Sequence, residues 1–189
     1  ETGWMHNRVR MVVGSFLVKH LRINWTEGEK YFRNCLLDFN KANNVAQWQW
    51  VAGCGADAAP YFRIFNPILQ GEKFDKEGLY VKKWVPELEK VPSKFVHKPW
   101  KMEIKYQQAI KTIIGKDYPQ PIVIHEKARA SALEAFQSLR RVVDQPPLAA
   151  LRAPHRHSLL CPQRVRPWLS QWPERTSRVH HLQRLLFVV

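Results

Sequence analysis

Over residues 4–21 the apolar side chains Met5, Val9, Val12, Val13, Phe16 and Leu17 recur at spacings of three and four, while Arg8 and Lys19 fall off that stripe. This period is one face of an α-helix. No two segments alternate apolar and polar residues as paired strands would, so the expected fold class is all-α. Thr26 and Glu29 have the spacing of a capping box and predict a second helix through YFRNCLLDF. Residues 44–51 predict a third, stopped by Gly53 and Gly55. Pro60, Pro67 and Gly71 then predict a mostly looped stretch with one short helical turn. A helix entered at Asp75 and ended near Pro86 follows. Residues 91–121, rich in Pro and aromatics, read as chain packed over a surface, with KMEIKYQQAIKTII compatible with helix. The last helix, 125–139, carries Ala128, Ala132, Ala135, Phe136 and Leu139 along one side.

Composition divides the 189 residues in two. The first 139 hold 15 Lys and 6 Arg against 14 acidic residues; the last 50 hold no Lys, 9 Arg and 2 acidic residues, so each part contributes +7 to the net charge of +14. Residues 140–189 also lack Gly, Ile, Asn and Tyr but contain 6 of the 13 Pro. The expected organisation is a domain over 1–139 and a tail over 140–189, either a disordered Arg/Pro-rich extension or the product of a frameshift or fusion. The charge favours a polyanionic partner. The longest apolar run, residues 11–18, falls far short of the ~20 residues that span a bilayer, and no membrane association is expected. Cys35, Cys54 and Cys161, an odd number with no C-x-x-C, fit a reducing compartment, and the cytoplasm is expected. A start at Glu1 rather than Met reads as an internal piece of a longer protein.

Phosphate-binding, zinc-protease and serine-hydrolase motifs are absent. His155, His157, His180 and His181 have no carboxylate or thiolate at metal-ligand spacing, and no metal is expected. Tryptophan is more informative, at 8 residues in all. Trp4, Trp84 and Trp100 read as packing anchors. On one helix Trp48 and Trp50 face about 160° apart and are not expected to serve one surface. Asn44 and Trp48, at i and i+4, share a face, as do Asn7 and Met11, with Arg10 close by. Amide, indole, thioether and cation together suit a flat aromatic ligand or an unstacked base.

The strings GWMHNRVRM at 3–11, DFNKANNVAQWQW at 38–50 and GADAAPYFRIFNPILQGEKFD at 55–75 resemble the C-terminal FAD-binding domain of the DNA photolyase and cryptochrome family. WVPEL at 84–88, HKPW at 97–100 and DYPQPIVIH at 117–125 extend the resemblance to about residue 139. The APYFRIFNP form with Asn44 is most similar to bacterial class I cyclobutane pyrimidine dimer photolyases; plant cryptochromes carry Asp and insect ones Cys at that position.

The resemblance implies a helical FAD-binding domain, FAD as cofactor, and a deoxyribodipyrimidine photo-lyase activity in which photoexcited reduced FAD passes an electron to a pyrimidine dimer flipped out of UV-damaged DNA. It places Asn44 beside flavin N5, Asp38 and Asn40 beside the ribityl and ring portions, and Arg10 in an ion pair with Asp38. Trp48 and then Trp25 would be the electron donors to the flavin. Trp50 would pack on the dimer, Asn7, Arg8 and Met11 would contact dimer and phosphate, and Leu69 and Gln70 would lie in the loop that meets DNA. It further implies a monomer, an α/β antenna domain and the first part of the helical domain upstream of Glu1, and with them much of the phosphate-and-adenine side of the pocket. A cryptochrome-like photoreceptor and a non-catalytic basic DNA-binding fragment are the competing expectations.

Overall fold

The computed structural model describes residues 2–58 and 62–143. Seven α-helices are found there: α1 Asn7–Ser15, α2 Trp25–Cys35, α3 Lys41–Ala52, α4 Pro67–Phe74, α5 Leu79–Trp84, α6 Ile104–Ala109 and α7 His125–Val143. No strand occurs among the described residues, only an isolated bridge between Ile114 and Tyr118, so the all-α expectation holds. Most of these helices are too short to stand alone in water, and packing must hold them.

The first predicted helix begins later than its periodicity implied. His6 is the N-cap, its Nδ1 accepting from Arg8 N–H, and after Ser15 the chain loosens into a π-helical turn over Phe16–His20. Arg22, at φ 55°, reverses the chain. Lys19 does not stay off the apolar side: it is 4 % exposed, its Nζ donates to the Arg63 carbonyl at 2.7 Å, and it lies 4.5 Å from the Phe62 ring centroid. The wider π turn rotates residues 16–20 away from a 3.6-residue extrapolation.

The capping box at Thr26 and Glu29 is replaced by Asn24, whose side chain accepts from Thr26 N–H at 3.0 Å. Glu29 is freed for contacts described below. α3 starts at Lys41 rather than Asn44, because the Asn40 side chain caps it on Asn43 N–H at 3.0 Å. Its predicted stop is present: Gly53 at φ 78° closes the helix in a conformation that favours glycine. The stretch expected to be mostly loop contains α4, with Asn66 as cap and Pro67 in its first turn, where a missing N–H costs nothing. Asp75 precedes α5 by a turn, and its carboxylate accepts from Tyr80 and Val81 N–H at 3.1 Å each.

Two apolar clusters result. Val13, Leu17, Phe32 and Trp48 join α1, the π turn, α2 and α3. Val85, Leu88, Val91, Val96, Met102, Ile114 and Tyr118 fold the irregular 85–118 stretch on itself, with Trp100 packed against them. Trp4 is 62 % exposed and is no packing anchor. α7 lies across the π turn through His20–His125 at 2.8 Å and, with Phe136, stacks on Phe62 at 4.3 Å. It runs through the compositional boundary at 139/140. Residues 144–189, and with them the expectations for the tail, its histidines and Cys161, lie outside the described residues.

Candidate functional site

α1, α3 and the link before α3 wall an open cleft of about 390 Å³, within the ~300–1,000 Å³ usual for small-molecule sites. From α1 come Asn7, Arg10 and Met11; from the link, Asp38 and Asn40; from α3, Asn44, Trp48 and Trp50. The local sequence explains this convergence. Residues 7, 10, 11 and 14 form one helix stripe, and the Asn40 cap sets the direction in which α3 leaves the link.

Trp48 and Trp50 both line the cleft, against the expectation that they would not serve one surface. They do diverge around α3, but Asn43, Gln47 and Val51 lie between them on the helix and also line it. The two indoles therefore bracket one concave strip. Trp48 is 3 % exposed, with its ring edge-on to Phe32 at 5.0 Å, and its Nε1 is buried with no hydrogen-bond partner among the described residues.

The Arg10–Asp38 pair is formed. Arg10 Nη2 donates to both Asp38 oxygens at 2.9 Å, and Nε donates to the Met5 carbonyl at 2.8 Å. Charge-assisted bonds of this kind fix direction as well as charge. Asn44 is no helix-start asparagine: its Nδ2 donates to the Glu29 main-chain oxygen at 3.1 Å and to Glu29 Oε1 at 3.2 Å.

Four expected residues lie off the cleft wall. Trp25 packs in the cluster that holds Phe32 and Trp48. Arg8 lays its guanidinium over the Phe74 ring at 3.9 Å, tying α1 to α4. Leu69, on α4, is 58 % exposed, and Gln70 beside it has a buried Oε1 with no partner among the described residues. Sequence reasoning missed Asn43 and Gln47, which the i, i+4 rule applied from Asn43 would have found. It also missed Glu29, which touches Asn44 across 15 residues of chain and left no local signal. Among the described residues no group of three His, Cys, Asp or Glu is placed to hold a metal ion, and no helix is long and apolar enough to cross a membrane.

A family model described as the FAD binding domain of DNA photolyase matches residues 1–138. The chain is 57 % identical over 141 residues to the deoxyribodipyrimidine photo-lyase of Agrobacterium fabrum and 55 % identical over 141 residues to that of Escherichia coli, covering 75 % of this chain in each case. It spans 29 % of the length of each of these relatives. Among solved structures it is similar to a bacterial class III photolyase from Agrobacterium tumefaciens, with TM-score 0.70, 57 % identity, and coverage of 74 % of this chain and 29 % of that one. A Synechocystis cryptochrome matches with TM-score 0.66 and 36 % identity over 70 % of this chain and 27 % of that one. The chain belongs to the DNA photolyase family, of which it carries a portion of the FAD-binding domain.

Proposed function

We propose that the cleft between α1 and α3 takes the flavin of FAD, and that the protein of which this chain is a part repairs cyclobutane pyrimidine dimers in UV-damaged DNA with blue light. The observation that carries this reading is the meeting of Arg10, Asp38, Asn40, Asn44, Trp48 and Trp50 at one cleft. The donor set fits the group: carboxamides offer donors and acceptors to a polar ring edge, indoles and Met11 offer apolar faces, and the buried Trp48 Nε1 lacks an acceptor among the described residues. FAD, when bound, supplies a light-excitable one-electron donor.

The chain's own residues then have distinct tasks. Arg10 and Asp38 hold a fixed dipole at the cleft mouth, and Asn40 both caps α3 and faces the ligand. Trp48 and Trp25, in one apolar cluster, are the oxidisable side chains that donate electrons toward the cleft. Trp50, Asn7 and Met11 offer a flat, mixed surface to an unstacked base, while Arg8, Leu69 and Gln70 extend contact with DNA along α1 and α4. No general acid or nucleophile is needed.

At the finer level, the APYFRIFNP string with Asn44 favours class I, whereas the Agrobacterium tumefaciens neighbour is described as class III; the proposal stands at dimer repair, which either class allows. It includes a monomeric, cytoplasmic protein without a metal ion. A photoreceptor role is the second reading, favoured by the Synechocystis cryptochrome. Irradiating a dimer-containing oligonucleotide with the full-length, flavin-loaded protein separates the two. Restored pyrimidines support repair; unchanged dimers under light overturn it.

A further inference from the structure

Arg33 stands on the last turn of α2, its side chain 46 % exposed and off the cleft wall. Its partner Glu29 is buried, with a side chain 6 % exposed. Arg33 reaches Glu29 Oε1 from Nε at 3.2 Å and from Nη2 at 2.8 Å, and Oε2 from Nη2 at 2.7 Å. On its other side the same Oε1 accepts from Asn44 Nδ2. A carboxylate gripped by a guanidinium is an acceptor only, and so is a main-chain oxygen. The two amide protons of Asn44 therefore meet two acceptors on residue 29, and none is left for the cleft. The side chain can present only Oδ1 there.

We infer that Arg33 is a positioning residue for Asn44: acting through Glu29, it fixes the amide so that Asn44 offers the cleft a hydrogen-bond acceptor and not a donor. Removal of the guanidinium leaves a buried carboxylate with one side-chain partner, which favours a turn of Glu29 toward water. Asn44 then keeps only its main-chain bond and gains freedom to flip. The ligand that meets Oδ1 must bring an N–H or O–H at that edge; this last step rests on the flavin reading, whereas the relay itself does not.

The test is hydrogen exchange of the Asn44 side-chain amide, followed by NMR on the ligand-free 189-residue chain, in the parent, Arg33→Met and Arg33→Lys proteins. Loss of one hydrogen bond predicts exchange faster by about tenfold in Arg33→Met, with a smaller rise in Arg33→Lys, which keeps the charge but not the fork. Exchange within about twofold of the parent in Arg33→Met overturns the inference. Circular dichroism checks folding, and if Arg33→Met fails to fold, parent-like exchange in Arg33→Lys overturns it in the same way. FAD retention is measured separately on the full-length protein: its failure with the exchange effect intact would sink the flavin reading and leave the relay standing.

Discussion

Gly28 on α2 lies so close to the Trp48 ring that a Cβ at position 28 would overlap it. The indole can be buried to 3 % exposure because its neighbour has no side chain. Gly28 costs helix propensity, and the return is a close helix–helix approach that sets one flank of the cleft.

Gly28→Ala should therefore destabilise the protein, because overpacking costs about 1–3 kcal/mol and the gain in helix propensity returns at most about 1 kcal/mol. Urea denaturation followed by tryptophan fluorescence measures it. An unchanged or higher midpoint would mean that α2 and α3 do not meet as described.

Arg10 and Asp38 should matter more for the ligand than for the fold. With Asp38 55 % exposed, the pair contributes at most about 1 kcal/mol to stability. Asp38→Asn is expected to leave the unfolding midpoint nearly unchanged and to weaken FAD binding about tenfold, as loss of a charge-assisted bond would. Urea unfolding checks the first statement and isothermal titration of flavin onto parent and variant the second; equal affinities would remove the pair from the site.

Acid should loosen the seat of α7. Burial, with His125 adding to it and the Ser15 backbone opposing it, lowers His20 from 6.5 to about 4. The unfolded chain then binds more protons between those values, so the stabilisation is full above pH 6.5 and is lost as pH falls toward 4, by an amount on the order of 3 kcal/mol. His20→Phe keeps a ring beside Phe16 and should flatten the stability–pH curve across this window; a parallel curve would contradict the burial of His20 against His125.

Lys19 predicts the opposite end of the scale. Burial lowers it from 10.5 to about 8. Between these values the unfolded chain again holds more protons, so stability should rise with pH above 8 relative to Lys19→Met. Melting curves of both proteins from pH 8 to about 9.5, below the ordinary tyrosine range, test this without interference from Tyr118. A constant difference between the two would place Lys19 in water.

What the sequence revealed follows from the range of each interaction. Gly53 ended α3 as expected because a left-handed cap is a local demand, and Asn44 with Trp48 shared a face because helix geometry is local too. The Pro67 helix is longer than the one short turn expected there, because proline punctuates a chain whether it stops a helix or starts one, and the Asn66 side chain decides for a start. Thr26 and Glu29 have capping-box spacing, but the Asn24 side chain takes the Thr26 N–H that Glu29 would otherwise bond. Lys19 and the Glu29–Asn44 contact were invisible because they depend on a π turn and on a partner from another helix. Trp50 was set apart from Trp48 by a correct angle; the width of the cleft between them is a property of three segments together.

FAD titrated onto the purified full-length protein, with gel filtration and then blue light in the presence of a reductant, is the measurement on which the assignment of the cleft to flavin stands or falls. On that assignment flavin stays with the protein and is photoreduced, and Trp48→Phe retains flavin but loses photoreduction. Flavin that elutes apart from the chain, or photoreduction indifferent to Trp48→Phe, would contradict it.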